Sequence, residues 1–171
     1  MNTLDQLTET LLPALELAGI VEGEYLIIGS AAEFIGGYVD KFGDVDILVS
    51  KETFQRLIDD NFEWYYSETV DPKVKIIRIG FLDIISHEGD WLEKEKDSTH
   101  AYPILSPNNL IEWRLFAGRP KDQLRAWQLI HKFYAMLRQY LEPDPLPNKL
   151  LEIKTIEQNM FDYQTRLMEM R

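Results

Sequence analysis

The tightest constraint on this chain is the stretch Tyr25–Ser50, YLIIGSAAEFIGGYVDKFGDVDILVS, in which two apolar runs, YLII and DILV, are joined by a glycine-rich connection. Short apolar runs bounded by such connections predict buried strands. The second run opens with Asp44 and Asp46, one residue apart. In an extended chain residues i and i+2 project to the same side. The two carboxylates therefore share one face, and Val45 and Ile47 share the other. Like charges held that close repel unless a cation lies between them. Hard oxygen donors of this kind suit Mg²⁺ or Mn²⁺, although a lone D-x-D is also a common solvated strand start.

Upstream, Gly29-Ser30 joins the first strand to the short segment AAEFIGGY, which Ser30 is placed to cap as a helix. Glycine lets a ligand approach the backbone, and a helix start presents unpaired N–H groups to an anion. A tight turn with a serine cap accounts for the same residues. A third acid, Asp83, interrupts the apolar run IGFLDIIS between Leu82 and Ile84. A carboxylate in such a strand needs a cation. A metal ion, or an ion pair with Arg78 or a lysine, would serve equally.

The remaining pattern predicts an α+β fold, a mixed sheet with flanking helices and a C-terminal helical segment. Leucines at 4, 7, 11, 12, 15 and 17 have helical spacing, with Pro13 a kink and Gly19 a stop. KETFQRLIDDN is a second amphipathic helix. FEWYYSE and KVKIIRIGFLDIIS are strands, with DPK turning between them. His87 to Ala101 is polar and irregular, and YPIL is a short strand. SPNNLIEWRLFAG carries Ser106 as N-cap, Pro107 at the first helical position and Gly118 as C-cap. KDQLRAWQLIHKFYAMLRQYL is a long helix, EPDPLP a rigid linker and 148–171 a last helix. The expected organisation is an α/β core over 1–105 and a helical extension over 106–171, packed on the core as a single compact unit.

There is no cysteine, which removes disulfides and thiolate metal sites. The net charge of −11 repels phosphate backbones at long range. It disfavours bulk nucleic acid and leaves room for a small anion received by a local cation or metal. The N-terminus is polar and no apolar run spans a bilayer. A soluble cytoplasmic protein, with no membrane partner, is the expectation.

Gly29-Ser30, thirteen intervening residues, Asp44-x-Asp46 and a later strand acid at Asp83 together resemble the nucleotidyltransferase superfamily with the DNA-polymerase-β-like fold. LSPNNLIEWRLFAGRPKDQLRA resembles a segment of small bacterial members, among them antitoxin-paired and abortive-infection nucleotidyltransferases. The likeness runs from about Tyr25 to Ile130. It departs from that pattern at Arg114, where a lysine is usual, and at Arg125, where an acid is frequent.

The resemblance implies a metal-dependent enzyme that moves a nucleoside monophosphate from a nucleoside triphosphate to an acceptor hydroxyl, releasing pyrophosphate. Asp44 and Asp46 would bind Mg²⁺ or Mn²⁺ shared with the triphosphate. Asp83 would bind metal on the acceptor side and could take the proton, while Gly29 and Ser30 cradle the outer phosphates. Lys121, in the first turn of its helix, is the expected phosphate or base contact. The acceptor is expected to be a protein or small molecule rather than nucleic acid. The alternative is a catalytically inactive nucleotide-binding relative that acts through a partner protein in a two-component module. Arg119 is expected to be solvated at its helix start. His87 is expected in a surface loop, and His100 and His131 form no metal pattern. Phe62, Trp64, Tyr65 and Tyr66 are expected in the core and strand surface rather than as a base-stacking platform, and Trp113, Trp127 and Phe133 in packing.

Overall fold

The computed structural model describes residues 3–67, 74–86, 91–94, 96, 97 and 99–139. The expected DPK turn, His87, the EPDPLP linker and the helix over 148–171 lie outside the described residues. The chain divides into two units, Met1–Ser106 and Pro107–Arg171.

The first unit carries helices α1 (Leu4–Ala18), α2 (Gly29–Ile35) and α3 (Lys51–Asp59), with strands β1 (Tyr25–Ile28), β2 (Val45–Val49), β3 (Trp64–Tyr66), β4 (Lys75–Ile79) and β5 (Leu82–Ser86). The strands form one mixed sheet of order β1-β2-β5-β4-β3. Among the described strands the β2–β5 pairing is parallel and the others are antiparallel. The fold class is α+β, as the sequence pattern predicts.

In α1, Leu7, Leu11 and Leu15 are buried at a spacing of four, while Leu4, Leu12 and Leu17 face solvent. Pro13 lies inside the helix. Thr3 caps the start by accepting from Gln6 N at 3.2 Å, and Gly19, at φ 60°, ends it. Both central apolar runs are buried as expected. Leu26, Ile27 and Ile47 are fully enclosed, each contributing about 2 kcal/mol of apolar burial.

Three local expectations are corrected. KVKIIRIGFLDIIS is not one strand but the β4–β5 hairpin, with Ile79 opposite Leu82 across a two-residue turn, Gly80–Phe81. Gly80 sits at φ 60°, which a side chain adopts only with strain. YPIL is not a strand; Ile104 and Leu105 make single bridges to Ile27 and Lys96. Ser106 does not cap the next helix, because among the described residues its buried hydroxyl meets no hydrogen-bond partner.

The second unit holds α4 (Pro107–Ala117) and α5 (Pro120–Gln139). Gly118, at φ 68°, ends α4 with its N–H on the Arg114 carbonyl at 3.3 Å, as expected of a glycine cap. Among the described residues no helix is long and apolar enough to cross a membrane.

Candidate metal centre

The β2–β5 register aligns Asp46 directly with Asp83. Paired residues on neighbouring strands project from the same face, so the carboxylates of these two emerge side by side. Asp44 stands just ahead of β2 rather than inside it. Even so, Asp44, Asp46 and Asp83 each offer a carboxylate oxygen within 4.8 Å of the others. They grade from exposed Asp44 through half-buried Asp46 to buried Asp83. Three oxygen donors at that spacing match a hard divalent cation in number and chemistry. The ion itself is not part of the structure.

Gly29 explains part of this placement. It is buried, begins α2 at φ 69°, and a Cβ built on it would overlap Asp46 Oδ2. The glycine thus answers two demands at once, a left-handed backbone and a carboxylate lying against its Cα. Ser30 follows in the first turn, half-buried. It is not the cap expected of it, since α2 starts one residue earlier, after Ile28, with no side-chain cap.

Asp83 also has the alternative partner anticipated from the sequence. Arg78, its cross-strand neighbour on β4, donates from Nε to Oδ1 at 2.6 Å and from Nη2 to Oδ2 at 2.5 Å. The fork is charge-assisted and bidentate. It holds the Arg78 guanidinium protonated well above its ordinary range, chiefly through those hydrogen bonds and then through the Asp83 charge. The Arg78 side chain remains 53% exposed, against 7% for Asp83. A carboxylate has about four lone-pair positions, so the fork leaves Asp83 able to face a cation as well.

Beyond Arg78, the same face reaches the sheet edge. Tyr65 pairs with Ile76, and Ile76 and Arg78 are two apart on β4, so Tyr65 projects with Arg78 and Asp83. Its phenol titrates above the ordinary range, through burial first and then the Asp83 charge, with Asp44 and Asp46 adding and Arg78 opposing. Of the core and strand surface expected for them, the β3 aromatics take the surface: Trp64, Tyr65 and Tyr66 are 39%, 42% and 50% exposed. Trp64 and Tyr66 meet edge-on at 5.3 Å on the opposite face, with Lys75 Nζ 4.7 Å from the Trp64 ring. The run WYY gave no sign of this, because the edge position of β3 is set by pairings made later in the chain.

The remaining candidate, Lys121, belongs to the second unit, where it is exposed in the first turn of α5. Its neighbour Asp122 is 1% exposed and accepts from Arg114 Nη1 at 2.8 Å and from Arg119 Nε and Nη2. Arg119 is therefore part of a buried ion cluster rather than a solvated helix start. Arg114, in place of the usual lysine, is 9% exposed and serves the same acid. Trp113 is buried as a packing residue.

No family model matches the chain, and a search of curated proteins finds no relative.

Proposed function

We propose that this protein is a metal-dependent nucleotidyltransferase that moves a nucleoside monophosphate from a nucleoside triphosphate to an acceptor hydroxyl. The observation that carries the proposal is the convergence of Asp44, Asp46 and Asp83, within 4.8 Å, from a strand start and two aligned parallel strands. Three clustered carboxylates repel one another, and a chain retains such a cluster most readily where a cation is to be held. A divalent cation bound there would neutralise phosphate charge and acidify the acceptor hydroxyl. Asp44 and Asp46, next to Gly29-Ser30, take the triphosphate side. Asp83, on the next strand, takes the acceptor side and is placed to receive the hydroxyl proton. Gly29 lets the Asp46 carboxylate lie against the backbone, and Ser30 beside it offers a hydroxyl donor to a phosphate.

The second reading, a nucleotide-binding relative without turnover, draws on the Arg78 fork, which neutralises Asp83 without a metal. Calorimetry of Mn²⁺–triphosphate binding to Asp46→Asn tests the first element shared by both. Affinity is expected to fall about tenfold or more while the metal-free melting temperature holds or rises, since one repelling charge is gone. A large drop in the metal-free melting temperature would make Asp46 structural. Turnover of labelled triphosphate by the unaltered chain then separates enzyme from binding protein.

A further inference from the structure

The sheet order β1-β2-β5-β4-β3 sets the candidate groups out in a row. Gly29 and Ser30 follow β1, Asp44 and Asp46 flank the start of β2, Asp83 is on β5, Arg78 on β4 and Tyr65 on β3. The acids divide this row. On one side lies the glycine-serine turn. On the other lie a half-exposed guanidinium and an aromatic ring that is 42% exposed. Strands are about 4.8 Å apart and Tyr65 pairs with Ile76, two residues along from Arg78, so Tyr65 stands about 12 Å from Asp83, diagonally across the face. That span fits one small molecule lying across Arg78.

We propose that Arg78 and Tyr65 form the acceptor subsite of this face, and that the acceptor is a mononucleotide whose base stacks on Tyr65 and whose phosphate meets Arg78. The proposal rests on the nucleotidyl-transfer reading and names its substrate class. The fork to Asp83 engages two of the five N–H donors of Arg78, and the others suit a phosphate. The Tyr65 ring offers a sequence-tolerant stacking face on the side of the sheet that carries Arg78 and Asp83. A stacking ring and a guanidinium with donors to spare are what the base and the phosphate of a nucleotide require. The net charge of −11 restricts the acceptor to a short one. In the transfer, the acceptor's ribose oxygen bonds to the α-phosphorus of the triphosphate. The bond from that phosphorus to the bridging oxygen breaks, pyrophosphate leaves with the electron pair, and the hydroxyl proton passes to Asp83.

The test is calorimetric titration of the full chain in Mn²⁺ with adenosine 5′-monophosphate, with and without a saturating non-hydrolysable ATP analogue. Adenosine monophosphate is expected to bind the analogue-filled protein. Tyr65→Ala should weaken that binding on the order of tenfold, and Tyr65→Phe, which keeps the ring, should leave it within about twofold. Neither variant should alter analogue affinity. Absence of monophosphate binding, unchanged binding in Tyr65→Ala, or equal weakening of the analogue would overturn the proposal, the last by placing the ring in the triphosphate site. If the analogue itself fails to bind, the nucleotidyltransferase reading falls. Monophosphate binding in Mn²⁺ alone then decides the subsite separately: dependence on the Tyr65 ring supports it, and independence sinks it.

Discussion

Replacing Arg78 with methionine separates a metal centre from a purely structural ion pair. Methionine keeps much of the apolar stem and removes the only cation that the described hydrogen bonds give to Asp83. The variant leaves three carboxylates within 4.8 Å of one another without that counter-charge. At that spacing and an effective dielectric of about 20, each pair of unit charges repels by about 3.5 kcal/mol. Asp44 is exposed, and Arg78 is 53% exposed, so solvent screens much of this. Breaking a fully buried pair costs about 3–5 kcal/mol and an exposed one at most about 1 kcal/mol, so this half-exposed pair should cost about 2 kcal/mol. Urea denaturation in a chelator should show that loss. With Mn²⁺ at a hundred times its dissociation constant, binding returns about 2.7 kcal/mol. The unaltered chain gains from Mn²⁺ too, so the deficit of the variant should shrink only as far as it binds Mn²⁺ more tightly for want of a competing cation, by about 1.4 kcal/mol for each tenfold in affinity. Equal loss of stability with and without Mn²⁺, at unchanged Mn²⁺ affinity, would refute the reasoning and leave Asp83 as one half of a structural bridge.

Gly29→Ala should cost about 1–2 kcal/mol for its left-handed backbone alone, and more because its Cβ meets Asp46. The excess should vanish in an Asp46→Ala background, and a double-mutant cycle with no coupling would remove the contact from the argument. Tyr38 is pushed up from 10.0 to about 12, chiefly by burial and then by Asp97. Its neutral phenol therefore stabilises the fold fully below pH 10.0 and loses that contribution as pH climbs to about 12. Tyr38→Phe should flatten alkaline unfolding across that window by on the order of 2 kcal/mol, measured as denaturation midpoints against pH.

The two central strands were legible because their information is local: four or five apolar residues, glycine between, acids at i and i+2. Asp83 was legible for the same reason, as a charge out of place in an apolar run. The hairpin was missed although its signal was present. KVKIIRIGFLDIIS has fourteen residues, well beyond an ordinary strand, and carries one glycine, Gly80, where the chain reverses. The exposure of Trp64, Tyr65 and Tyr66 was not legible, since an aromatic run looks the same in a core strand as at an edge. What assigns them to the edge is that, among the described strands, β3 pairs with β4 alone. Arg119 was misjudged because its partner Asp122 is three residues along, and whether such a pair closes depends on the burial of Asp122 rather than on spacing.

The two-residue turn at Gly80–Phe81 reaches further than its size suggests. Strand side chains alternate, so adding or deleting one residue there would reverse either Arg78 or Asp83 to the far side of the sheet while both strands could still pair. Such a length variant would also turn Ile77, or Leu82 and Ile84, out of the core, so the same two residues of turn hold both the face and the core in register. In a lineage of such chains, turn length would be held constant by the chemistry of the face and by stability together. A library of turn insertions, sorted first for folding and then for Mn²⁺ binding, would separate those two pressures at a single position.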